Sequence, residues 1–352
     1  REAGMNFTAV AWALGAAALF GLSTPAAKVL LGHADPWLLA GLFYLGSGLG
    51  LALWRVLRAR PGKAAEAALT SRDLPWLAGA ILSGGVVGPV LLMAGLSLTE
   101  AAAASLLLTL EGVATALIAW FVFHENFDRR IAIGMGCIAA GAAVLSWQGA
   151  AGVSGLAGPL AVAGACVAWG IDNNLTRKVS LADPVQIAMI KGLVAGPVNL
   201  TLGLWAGASF PAFPTIIAAG VVGLLGYGVS LALFVLALRG LGAARTGAYF
   251  ATAPFLGAVA ATVALGEPLT AQLAAAGGLM GVGVWLHLTE RHAHAHVHAA
   301  AEHAHPHVHD RHHRHEHGPG DPAGEPHTHR HRHGRLSHAH PHMPDMHHQH
   351  RH

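Results

Sequence analysis

Six polar side chains stand in stretches that are otherwise apolar: Lys28, Glu111, Asp172, Asn173, Asn174 and Lys191. At the centre of a bilayer each ionised group costs ~2.5–3.5 kcal/mol unless it is paired or hydrated, so these groups must face protein or water. Glu111 is a candidate to bind a cation or a proton, or else a protonated carboxyl hydrogen-bonded to Thr109 or Thr115. Asp172 and Lys191 are spaced to neutralise each other, as a structural salt bridge or as part of a gate. Asn173 and Asn174 offer carboxamide oxygens to a cargo or bond between helices. Lys28, near a helix end, is expected to snorkel to the lipid headgroups.

A second chemical signal lies at the other end of the chain, where residues 291–352 hold 23 of the 26 histidines. His292, His294, His296 and His298 alternate with small residues. The histidines return at His303, His305, His307 and His309, at His312, His313, His315 and His317, at His327, His329, His331 and His333, and at His338, His340 and His342. Imidazole suits Ni²⁺, Co²⁺, Zn²⁺ and Cu²⁺, and alternation lets neighbouring rings converge from an extended chain. Oxygen-preferring Mg²⁺ and Ca²⁺ are poor candidates. With 13 apolar residues in 62, and Gly and Pro clustered at 318–326, the segment is expected to be a disordered metal-binding tail. The plain alternative is a solvating tail whose imidazoles protonate below pH ~6.5. No other cofactor is expected.

Those groups must be positioned by the remaining 290 residues, which are roughly 60% apolar and carry 26 charged side chains. A soluble domain does not have that composition; the body belongs in a membrane. A formal charge of +3, from 21 Lys and Arg against 18 Asp and Glu, makes nucleic acid an unexpected partner. Cys137 and Cys166 lie inside apolar runs and read as small hydrophobes. A helix needs about 20 mostly apolar residues to cross. Cutting at charge, Pro-Gly and polar clusters predicts ten spans, near 9–31, 36–57, 74–96, 101–123, 130–147, 157–177, 184–206, 214–238, 244–265 and 270–288. Seven tryptophans, among them Trp37, Trp76, Trp147 and Trp205, fall near span ends, where indoles anchor.

Under this layout Arg55, Arg58, Arg60, Lys63, Arg72, Arg129, Arg130, Arg177, Lys178, Arg239 and Arg245 share one side, and the opposite loops have no Lys or Arg. Cationic loops resist translocation, so both termini are expected in the cytoplasm of a bacterial cell, with the body in its inner membrane. Glu111 lies ten residues into its span, ~15 Å deep and near the midplane. The chain also repeats itself. An offset of 142 residues carries Gly84 onto Gly226, Ala101 onto Ala243, Gly112 onto Pro254 and Glu125 onto Glu267. An offset of 148–149 carries Phe20-Gly21 onto Trp169-Gly170, Lys28 onto Arg177 and Asp35-Pro36 onto Asp183-Pro184. Five spans per half, an odd number, invert the second half relative to the first. Pro25, Gly84-Gly85, Gly88-Pro89, Gly196-Pro197, Gly223–Gly228 and Pro254 are expected to interrupt their spans, and Gly46/Gly50 and Gly277/Gly281 to form packing faces.

Here the sequence resembles the EamA-like members of the drug/metabolite transporter superfamily. The residues that carry the resemblance are Ser105 to Glu111 leading to His124-Glu125, and Ala253-Pro254 leading to Gly266-Glu267-Pro268. Gly112 stands where the family normally has proline, and His124 where it has glycine. The resemblance implies an all-α membrane protein of two inverted five-helix repeats, 9–147 and 157–288. It also implies a central cavity lined by spans 1–4 and 6–9, with spans 5 and 10 peripheral. Some members linked to cobalt and nickel resistance are similar in having a histidine-rich end. The expectation is a secondary carrier, not an enzyme, that exports Ni²⁺ or Co²⁺ by proton-driven alternating access. The transport pathway would use Glu111, Asp172, Asn173, Asn174 and Lys191. An amino-acid or metabolite exporter with a metal-buffering tail, and a membrane-tethered metal store or sensor, are the competing readings. Lipid and a small cargo are the expected partners, and a homodimer is compatible with the sequence.

Overall fold

The structure is a computed structural model that describes residues 7–58, 69–123, 129–147, 153–179, 183–241 and 249–288, and the backbone of four short stretches beyond residue 291. The body is helical: α1 (Phe7–Leu31), α2 (Pro36–Arg58), α3 (Leu74–Ala80), α4 (Gly88–Ser97), α5 (Ala101–Leu107), α6 (Leu110–Phe123) and α7 (Arg129–Ser146) make the first half. The second half has α8 (Ala157–Lys178), α9 (Pro184–Trp205), α10 (Phe213–Gly223), α11 (Ser230–Leu241), α12 (Ala253–Leu265) and α13 (Ala271–Leu288). Two π-helical stretches, Ile81–Val87 and Leu224–Val229, join α3 to α4 and α10 to α11.

Among the described residues, seven helical stretches are long and apolar enough to cross a membrane: Thr8–Leu31, Pro36–Leu57, Leu74–Ser97, Ala101–Val122, Arg129–Ser146, Val185–Trp205 and Phe213–Phe234. The other three expected spans are helices in their expected places, but they fall outside that set. Asp172, Asn173, Asn174 and Lys178 dilute the apolarity of α8, a turn at Ala251-Thr252 shortens the stretch containing α12, and α13 is a short apolar helix.

Local chemistry explains where the repeated elements start. The Asp35 carboxylate accepts the Trp37 N–H at 2.8 Å, and the Asp183 carboxylate accepts the Val185 N–H at 2.9 Å, with Pro36 and Pro184 at the first helical positions. Each repeated Asp-Pro is thus a helix N-cap. Glycines then let α2 serve two neighbours. Gly48 meets Gly192 and Leu193 of α9, and Gly196 meets Leu45; on another face Gly46 lies against Gly220 of α10 and Gly50 against Leu224. The Gly46/Gly50 packing face is therefore real, whereas Gly277 and Gly281 have only ordinary contacts with Leu106 and Phe255. In Gly46→Ala the new methyl would overlap the Gly220 backbone. The variant is expected to lose about 1–3 kcal/mol, seen as a lower melting temperature in detergent.

The proline and glycine interruptions resolve unevenly. Pro25 and Pro197 sit inside continuous helices. Near Pro25, Ser23 Oγ donates to the Phe20 carbonyl at 2.6 Å. At Gly84 and Gly226 the helices widen into the two π-stretches, which match under the 142-residue offset to within one residue. There, Gly84 is pressed against Asp172 and Gly226 against Ser23.

Four stretches of the histidine segment have extended backbone. His292–His298 pairs antiparallel with Leu336–His342, and Ala301–His307 with His327–His333, in two separate two-stranded ribbons. Alternation of histidine with another residue is a period-two pattern, which suits extended backbone as well as it suits a loose chain. His309, His312, His313, His315 and His317 lie outside the described residues, as do the side chains of the paired histidines.

Candidate functional site

The fourth span is not one helix. At Leu108-Thr109 the chain turns, α5 ends and α6 begins, which places Glu111 in the first turn of a half-helix. The break is internally bonded. The Leu108 N–H bonds to the Ala104 and Ser105 carbonyls at 3.2 Å each, and the Thr109 N–H and hydroxyl both bond to the Leu106 carbonyl, at 3.0 and 2.8 Å. Cys166 Sγ, fully buried, lies 3.6 Å from the Leu107 carbonyl. The second half has its counterpart at Ala251-Thr252, just ahead of α12 and Pro254.

The two breaks line one cavity of about 250 Å³. Leu108, Thr109, Glu111 and Gly112 come from one break, Phe250, Ala251, Ala253 and Pro254 from the other, and Phe20, Ile138 and Val284 close the wall. Ile138 and Val284, from the fifth and tenth spans, are part of that wall. Gly112 has open space where a side chain would project, so the missing proline leaves room beside the carboxylate.

Glu111 Oε1 accepts a hydrogen bond from Asn173 Nδ2 at 2.9 Å, and Asn173 Nδ2 also lies 3.1 Å from Thr115 Oγ1. Asn174 donates to the Thr115 and Gly170 carbonyls at 3.0 and 2.8 Å. Asp172 and Lys191 meet in a separate buried pair. Lys191 Nζ is 2.6 Å from both carboxylate oxygens, and Thr176 Oγ1 donates to Oδ1 at 2.8 Å. Of the five pathway candidates, then, Glu111 lines the cavity, Asn173 is bonded to Glu111, and Asn174, Asp172 and Lys191 are not among its lining residues.

Sequence reasoning missed several groups. Around Gly84, whose carbonyl is freed by the π-stretch, Tyr44 Oη donates at 2.6 Å and Trp169 Nε1 at 2.9 Å, while Asn199 Nδ2 takes the Gly85 carbonyl at 2.9 Å. Tyr227, in the other π-stretch, packs against Phe20, Phe43 and Tyr44 with ring centroids 6.0, 5.8 and 5.7 Å away. A signal existed for some of them: Tyr227 adjoins the repeated Gly226, and Trp169 precedes Gly170 as Phe20 precedes Gly21. Lys28 does not snorkel. Its ammonium donates to the Leu96 and Thr99 carbonyls at 2.6 and 2.5 Å. Among the described residues no group of three or more His, Cys, Asp or Glu is placed to hold a metal ion.

Paired breaks in opposed halves, with a carboxylate between them, are an architecture of membrane carriers. The sequence profile of the EamA-like transporter family matches residues 7–147 and, a second time, residues 156–289. The chain belongs to the EamA-like transporter family. A protein of Methanothermobacter thermautotrophicus described as an uncharacterized transporter is 29% identical over 283 residues, covering 76% of this chain and 82% of its own. A protein of known crystal structure shares the fold, with a TM-score of 0.58 at 20% identity over 79% of this chain and 95% of its own. This EamA-like chain is therefore a multi-pass membrane transporter, and its broken fourth span carries a carboxylate that lines the same cavity as the repeat-related break.

Proposed function

We propose that this EamA-like transporter exports a divalent transition-metal cation, Ni²⁺ or Co²⁺, across the bacterial cytoplasmic membrane by alternating access, in exchange for protons. The observation that carries the reading is Glu111: a carboxylate at a helix break, in a cavity shared by both repeats. Such a group exchanges a proton for a cation as access alternates. The metal assignment rests on the alternating histidines, which collect cations on the side where the basic loops lie. A cytoplasmic chelator serves the donor side of an exporter.

One observation favours a second reading, export of an amino acid or other metabolite with the tail buffering metal. The cavity wall is mostly apolar, and Glu111 is its one charged residue among the described residues. Everted vesicles with an acid lumen decide between them. Proton-dependent uptake of Co²⁺ or Ni²⁺ is the expected result; vesicles that move metabolites and never metal overturn the cargo assignment. Deleting residues 291–352 is expected to lower metal uptake at micromolar free metal and to leave it little changed at saturating metal, because the tail raises local concentration without forming the path.

A further inference from the structure

We propose that Glu267 and Lys28 are the gate residues of this transporter: they hold the end of the path away from the basic loops shut, and cargo leaves when their bonds to the 98–100 connection are exchanged for water. The proposal rests on the alternating-access reading above. It adds the residues that close one side.

Glu267 follows Gly266, whose φ of 69° turns the chain sharply at the end of α12. From there its carboxylate reaches into the opposite repeat. Oε1 accepts the Ala101 N–H and Oε2 the Ala102 N–H, each at 2.7 Å. These are the first N–H groups of α5, which have no partner within their own helix. Lys28 does the converse on the other side of the same connection, bonding to the Leu96 and Thr99 carbonyls where α4 ends. Three residues, Leu98 to Glu100, are thus held between a cation at a helix C-terminus and an anion at a helix N-terminus, the signs that the helix dipoles favour.

The clamp acts on the half-helix that can move. One end of α5 is held by Glu267, and the other is the break at Leu108-Thr109 beside Glu111. The two sides of the break pack differently: α5 lies against α12, with Ser105 against Gly257, whereas α6 lies against α8. On the clamp side Ala101, Ala102, Ala104 and Ser105 are buried, and past the break the cavity opens. Two hydroxyls along the sealed stretch, Thr99 Oγ1 and Ser105 Oγ, are buried without a hydrogen-bond partner among the described residues. Burial of unpaired hydroxyls opposes the closed arrangement. Swinging α5 outward about the break would wet both, and the charged clamp is what offsets that tendency. Glu267 is only partly buried, so water can replace its two bonds.

The experiment labels a buried point of the seal. Ser105→Cys is introduced into a Cys137→Ala/Cys166→Ala background, and intact cells are treated with a membrane-impermeant maleimide. Slow labelling is expected with Glu267 in place, and labelling about tenfold faster in Glu267→Gln, with Glu267→Asp recovering part of the protection. Lys28→Met, which loosens the other side of the connection, is expected to act in the same direction and serves if Glu267→Gln does not reach the membrane. Unchanged labelling in both variants, with or without a lower melting temperature, overturns the gate and leaves a simple helix cap. Failure of the underlying reading looks different: Glu111→Gln would then transport as well as the parent, whatever the labelling rates.

Discussion

Glu111→Gln is expected to remove proton-driven export while leaving the protein folded and inserted. The amide is close to the carboxylate in shape, and its oxygen can still accept from Asn173 Nδ2, which now lies 2.9 Å from Oε1. What disappears is the charge. A group that must carry a proton in one state and face a cation in the other cannot be replaced by one that does neither, so flux driven by a pH gradient is expected to fall by about 100-fold. Vesicle uptake with an imposed gradient measures this, and an unchanged melting temperature separates it from misfolding. A fall of less than about threefold would take Glu111 out of the coupling step. Asn173→Leu supplies the graded case, because the carboxylate stays and only its hydrogen bond is removed.

The second large effect is expected at Asp172 and Lys191. Both are largely buried, with side-chain exposures of 7% and 16%, and Lys191 Nζ is held between both carboxylate oxygens. Removing one partner leaves a lone charge in the wall. Lys191→Met and Asp172→Asn are each expected to destabilise the protein by about 3–5 kcal/mol, visible as a large drop in melting temperature. The double variant Asp172→Leu/Lys191→Met is expected to recover most of that loss, since a packed apolar pair of similar volume often replaces a buried ion pair without penalty. The other repeat makes the case. Under the 149- and 148-residue offsets Ser23 and Phe43 stand where Asp172 and Lys191 stand, and Ser23 packs against Gly226 as Asp172 does against Gly84. The same packing is built there without charge. Single variants as stable as the parent would show the pair to be dispensable to the fold.

Much of the fold was legible in the residues because bilayer physics leaves few choices. Hydrocarbon demands long apolar helices with satisfied backbones, and the Asp-Pro pairs, the basic loops and the repeat offsets each mark where those helices begin or end. The π-stretches fall at the repeated glycines Gly84 and Gly226, so their location could be anticipated though not their form. Other positions misled. Pro25 and Pro197 signal breaks and lie in unbroken helices, since a membrane helix can lose one backbone bond without ending.

The sequence alone determined that this is a duplicated, helical membrane transporter, because periodicity, charge placement and helix length are local properties. Only the tertiary structure decided which helix actually breaks. Nothing in Leu108-Thr109 announces a turn, and the two sides of the break pack on different partners, α5 on α12 and α6 on α8. It likewise decided that Lys28 and Glu267 bond to helix ends rather than to lipid headgroups or to nothing in particular. Such bonds join residues 68 to 166 positions apart, and no local pattern records a contact that depends on how distant segments come together.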